Sequence, residues 1–343
     1  MPDDLDPTIR LTPAARAAAM RASLTGAQAM PAPKPAPLAS QTLPKAYFAV
    51  LAAVLGLACT AAWFLFVPPP PRLQEMQDLR AVAPEISTEP VAALPYRSAP
   101  MVDEAGILAL QPERSVMLRL QANPAIFVLV FPSLEQQGAA LNRVAALIEK
   151  RGLPRDRLLT DDELATAIAA SGDTPATWFL GHDYRASDLG RFFSLALRDG
   201  MLLNEAEFWV RDRLRDALAQ SEPGEALALV STAHPGSRMD ATMRAAILRH
   251  EVAHGHYFTL PGFAAHVHMV WRDRFSDSDR AAFTALLGHE GYDTENAELM
   301  ANEAMAYLLF TPDPRIFNAG MLKMTEPQLE RLREMMRAGS PLH

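Results

Sequence analysis

Six of the nine histidines in this 343-residue chain lie between His250 and His289, and the densest group is His250-Glu251-Val252-Ala253-His254. On an α-helix, residues four apart differ by about 40° in azimuth, so both imidazoles leave one face and can share one metal ion. Glu251 projects about 60° from His254. From there it reaches a water held near the ion without binding the ion itself. Two neutral imidazoles with an adjacent carboxylate base suit metal-assisted hydrolysis, with Zn²⁺ as the ion and Glu251 as the base. The small residues Val252, Ala253 and Gly255 suit a helix packed closely on its neighbours.

Several elements must position these groups. A short apolar strand is expected over residues 225–230, followed by a turn at His234-Pro235-Gly236. A capping box of Ser237 and Asp240 then opens a helix over 238–258, and Leu260-Pro261-Gly262 ends it. A third protein ligand is needed. Tyr257 and Leu260 occupy the places of a His-x-x-Gly-x-x-His continuation, and Cys59 is the one cysteine, far upstream. What remains is a downstream carboxylate. Residues 294–310 read as a helix closed by Pro312 and Pro314, with Glu303 bordering its apolar face. A carboxylate on such a face must be paired or bind a cation. Glu303 is therefore the preferred ligand and Glu298, on the other side with Asn302, the alternative.

Other polar residues receive weaker roles. Tyr257 lies within about 20° of His250 and is the candidate for stabilising a tetrahedral intermediate. His256 points about 120° away and reads as a packing residue. Asn302 or Asp293 is positioned to orient a ligand histidine. His266 and His268 fall on the next helix, over 263–275. His289 and Tyr292 fall in a turn at 288–293, at a cleft rim. His182 and Asp183 read as part of a Gly-containing surface loop.

The segments His250-Glu251-Val252-Ala253-His254 and Asn302-Glu303-Ala304-Met305-Ala306-Tyr307 resemble the gluzincin zinc peptidases, the group that includes the thermolysin and aminopeptidase N types. The resemblance covers about 80 residues. It implies a zincin-like body, with His250, His254 and Glu303 as zinc ligands, Glu251 as catalytic base and peptides or proteins as substrates. It also places the strand at 225–230 where such enzymes lay substrate along a sheet edge. Tyr307 stands where the thermolysin type has Asp.

The rest of the chain sets the context. With 49% hydrophobic and 21% charged residues it is no wholly disordered protein, and one cysteine excludes a disulfide framework. The first 45 residues carry a net +2 and the remainder −10, which argues against nucleic-acid partners. Residues 1–45, with alternating prolines from Pro31 to Pro37, read as a disordered tail. Residues 46–67 carry no charge over 22 positions, enough at about 1.5 Å per residue to cross a bilayer core of about 30 Å. They are expected to form a single transmembrane helix, followed by a proline-rich linker over 68–100. The five basic residues of the tail favour an N-terminus inside the cell and a periplasmic or otherwise extracytoplasmic body. The body divides into an α/β subdomain, 101–224, and a catalytic region, 225–343. The fold class expected is α+β and mostly helical.

Overall fold

The computed structural model describes residues 96–342. The expected tail, the transmembrane run and nearly all of the linker lie outside these residues. Among the described residues no helix is long and apolar enough to cross a membrane. The described body is mixed α/β, mostly helical, with one small sheet.

The sheet has the strand order β1 (Met101–Val102), β2 (Val116–Leu120), β3 (Ile126–Phe131), β5 (Ala228–Ala233) and β4 (His182–Arg185). β3 and β5 run parallel at its centre, and every residue of both is buried. Parallel strands covered on both faces read as continuous apolar runs, which is why IFVLVF announces β3 so plainly. Side chains alternate between the faces. Phe127, Leu129 and Phe131 pack with helices α2 (Leu134–Ile148), α4 (Ala186–Arg198) and α5 (Glu205–Ala219). Ile126, Val128 and Val130 pack on the other face with Leu248 and Val252 of α6 (Ala241–Thr259) and Ile107 of α1 (Glu104–Ala109). Because β5 pairs with both β3 and β4, residues on either side of the expected boundary at 224 share one sheet.

Two local expectations are corrected. The strand expected at 225–230 begins later, at Ala228, because Glu225 is tied into a turn with Glu222. It continues through the buried Ser231 and Thr232, whose polarity hides them from an apolar-run reading. β5 is also interior, so the sheet edge nearest the site is β4. The capping box of Ser237 with Asp240 does not form. Asp240 itself caps α6, accepting from the backbone N–H of Met243 at 2.8 Å, and Arg315 holds its carboxylate. Elsewhere, Thr160 with Glu163 and Asn204 with Glu207 form capping boxes at the starts of α3 (Asp161–Ala170) and α5.

α6 lies between two cores. Its far side joins an all-helical cluster built by α7 (Pro261–Met269), α8 (Asp277–His289), α9 (Ala297–Phe310) and α10 (Glu326–Arg337), with Phe263, Phe283, Met300, Ala304 and Leu332 at its centre. Gly255 permits the close approach to the sheet. A β-carbon there would stand 2.9–3.1 Å from Ile126 of β3. Buried Arg244 ties α6 to α1 by donating to the carbonyls of Leu108 at 2.8 Å and Ile107 at 3.2 Å, near the C-terminus of α1.

Candidate metal centre

α6 and α9 face each other and carry the metal-ligating residue types to one point. His250 and His254 leave α6 one turn apart, and their Nε2 atoms are 3.0 Å from each other. Glu303 comes from α9, with Oε2 at 3.6 Å from His250 Nε2 and Oε1 at 3.9 Å from His254 Nε2. Tetrahedral ligands at about 2.0–2.1 Å from zinc stand roughly 3.3 Å apart, so these spacings suit one shared ion. Glu303 Oε2 is buried with no hydrogen-bond partner, which is unfavourable unless a cation faces it. The residues present therefore fit a divalent ion.

The tautomer of His250 follows from its partners. Thr311 Oγ1 donates its proton to the Ala306 carbonyl at 2.9 Å, so it accepts from His250 Nδ1–H at 2.8 Å. The His250 Nε2 lone pair is then free for a metal, as a ligand histidine requires. Burial pushes both His250 and His254 down to about 4, so each is neutral near pH 7. Asn302 Oδ1 and His254 Nδ1 are both buried without a hydrogen-bond partner. Thr311→Val keeps the shape and removes the acceptor. It should weaken metal binding by about 10–100-fold, measured by competition with a chelator.

A second set, Asp183, Glu251 and His254, lies within metal-ligating distance as well. His254 Nε2 is 3.8 Å from Asp183 Oδ2, but one imidazole nitrogen has one lone pair. The two sets therefore compete for a single ion. The set with two imidazoles leaves Glu251 and Asp183 as a carboxylate pair beside it. Burial raises the pKa of both well above the usual range; Glu251 raises Asp183 further, and Glu303 and Glu149 raise Glu251 further. Glu149 is pushed up to about 8 by burial and by Glu303. Four carboxylates thus converge in one largely water-free region. Lys150 offsets part of this charge, its ammonium set over the rings of Phe179 at 4.3 Å, Tyr292 at 5.2 Å and Trp178 at 5.3 Å.

Gly181, next to β4, forms a wall against Glu251. A β-carbon at this glycine would meet Glu251 Cδ and Cγ at 2.6 Å. Gly181→Ala should displace the carboxylate, and a hydrolysis that depends on it should fall about 10²-fold, as a misplacement of about 1 Å can cause. Metal content should stay unchanged, and the two readouts together check the wall.

The structure distributes the remaining candidates plainly. Glu298 stays at the surface, paired with Arg185, and takes no part in the cluster. Tyr257 is buried with its hydroxyl 2.7 Å from His268 Nε2, so both residues engage each other in the helical core. His256 pairs with Asn123 at 3.1 Å and His266 with the Met336 carbonyl at 2.8 Å. His289 is exposed, and Asp293 pairs with Arg155 at 3.1 Å. Tyr292 does approach the site, through the Lys150 cage and Glu303. The reading of His182 and Asp183 as a surface loop is overturned. They form β4, with His182 buried and Asp183 beside Glu251. The signal was present, since His182 and Tyr184 alternate with Asp183 and Arg185 as strand faces do. Glu149, Lys150 and Thr311 were also missed.

No protein-family model matches the chain, and no curated protein or solved structure matches it either.

Proposed function

We propose that the chain is a zinc-dependent metallopeptidase of gluzincin type, with a zincin-like body anchored to a membrane by residues 46–67 and working outside the cytoplasm. The observation that carries this reading is the convergence of His250, His254 and Glu303, with Glu251 adjacent and outside that ligand set. His250 Nε2, His254 Nε2 and the Glu303 carboxylate hold the ion. Zinc, when bound, supplies Lewis acidity toward a scissile carbonyl and toward water. Glu251 takes the proton of the attacking water and returns it to the leaving amine. Asp183 and Gly181 hold the Glu251 carboxylate in place, and β4 offers an edge along which an extended peptide pairs.

The test is cleavage of a mixed peptide library by the purified full-length chain. Hydrolysis should vanish with a chelator and return with added Zn²⁺. A second reading, a metallopeptidase-like binding module without activity, has one observation in its favour. His250, Glu251, His254 and Glu303 are all below 10% exposed, and a cavity of about 770 Å³ lies elsewhere, beside Trp209 and Arg114. Stoichiometric zinc with no cleavage across the library would select that reading.

A further inference from the structure

At the other side of the sheet from β4, β1 meets β2 only at Arg119 and Leu120. Val116, Met117 and Leu118 pair with β3 and, among the described residues, have no strand on their second side. The cause is local. The Pro100 carbonyl accepts from the Arg119 N–H at 2.9 Å, but proline has no N–H to give in return. Just before it the chain is drawn off to Gln220, which accepts from the Ala99 N–H at 2.7 Å and donates to the Arg97 carbonyl at 3.0 Å. Backbone groups alternate in direction along a strand, so the Met117 N–H and C=O point the same way as the Arg119 N–H, toward the uncovered edge.

Residues 97–100 and 114–118 both line the cavity of about 770 Å³ that opens at this edge. Its lining is apolar at Met117, Phe131 and Trp209, the last standing edge-on to Phe131 at 5.6 Å. Among the described residues, its charged groups are Arg97, Arg114, Arg213 and Glu205. Asp216 engages Arg213 at 2.7 Å, which leaves the exposed Arg97 and Arg114 to outnumber Glu205. Arg213 also keeps a buried Nε–H without an acceptor, a cost that an entering acceptor would offset. An open strand edge above an apolar lining suits an extended peptide, whose backbone continues the ladder and whose alternate side chains enter the cavity. The surplus of arginine selects acidic side chains on that peptide.

We infer that this edge docks an extended acidic peptide segment of a partner protein, paired along Met117, with an apolar side chain against Trp209 and carboxylates at Arg97 and Arg114. None of these residues belongs to the His250–His254–Glu303 cluster. The docking site therefore stands whether or not the chain hydrolyses peptides.

Titration calorimetry on the purified full-length Glu251→Gln chain tests this without cleavage. The probes are N-acetyl-Glu-Val-Glu-Phe-Glu-Val-Glu-amide, its counterpart with lysine at every glutamate, and a copy with every backbone N–H methylated. The acidic peptide should bind about 10-fold or more tighter than either of the others, because only it offers both the charge and the ladder bonds. Arg97→Gln combined with Arg114→Gln should weaken it by about 10-fold. Both side chains are exposed, so metal content and thermal unfolding should not change. Equal binding of the acidic and basic peptides, binding by no probe, or full affinity in the arginine variant overturns the docking site. Glutamate or inorganic phosphate displacing the peptide at equal concentration would make this a small-anion site, and self-association abolished by the arginine substitutions would put a second copy of the chain there. Either result also overturns the inference.

Discussion

Glu251→Gln is expected to retain one zinc per chain and to lose peptide hydrolysis by about 10²–10⁴-fold, the range that a positioned general base contributes. The substitution keeps the shape of the side chain and removes its basicity. Glu251 lies outside the proposed His250–His254–Glu303 ligand set, so the substitution should leave the metal in place. Glu251 is buried beside Asp183. Glutamine at this position accepts no proton. Turnover at the wild-type rate by this variant would remove Glu251 from the mechanism.

Removing a ligand should do the opposite and strip the metal first. His250→Ala and Glu303→Ala should each lower zinc affinity by more than the roughly 10–100-fold typical of losing a supporting partner, because a direct bond is lost. Glu303→Ala also leaves two imidazoles with no anionic ligand between them. Glu298→Ala serves as the comparison, since its carboxylate is engaged by Arg185 at the surface, and its zinc content should match wild type. Metal analysis of the three purified variants after dialysis reads the difference. Equal zinc in Glu303→Ala and wild type would contradict the ligand set.

Much of the metal-binding cluster was legible because helical spacing is a local property. His250, Glu251 and His254 declare their geometry through the four-residue interval alone. Glu303 was separable from Glu298 because an acid bordering an apolar face must find a cation, and the structure puts Glu303 in the cluster and Glu298 at the surface. The buried strand β3 was legible for the same reason, as a continuous apolar run. The remainder depends on contacts far apart in sequence. Asp183 meets Glu251 only because β4 pairs with β5 at the sheet edge, and four residues of alternating character between glycine and helix read as a loop. Glu149 caps the C-terminus of α2, and nothing local in the sequence shows that its carboxylate lies near enough to Glu303 to be pushed up by it. Tyr257 is a different case: azimuth places it near His250, and the fold of α7 brings His268 Nε2 to 2.7 Å from its hydroxyl.

In the proposed function, two imidazoles from one helix and one carboxylate from another hold a single divalent ion. Zinc-edge X-ray absorption on the purified full-length chain, combined with its metal stoichiometry, tests this. One zinc per chain is expected, with two nitrogen ligands and oxygen donors at about 2.0–2.2 Å. A chain that takes up no zinc, or holds it without histidine scattering, would contradict it.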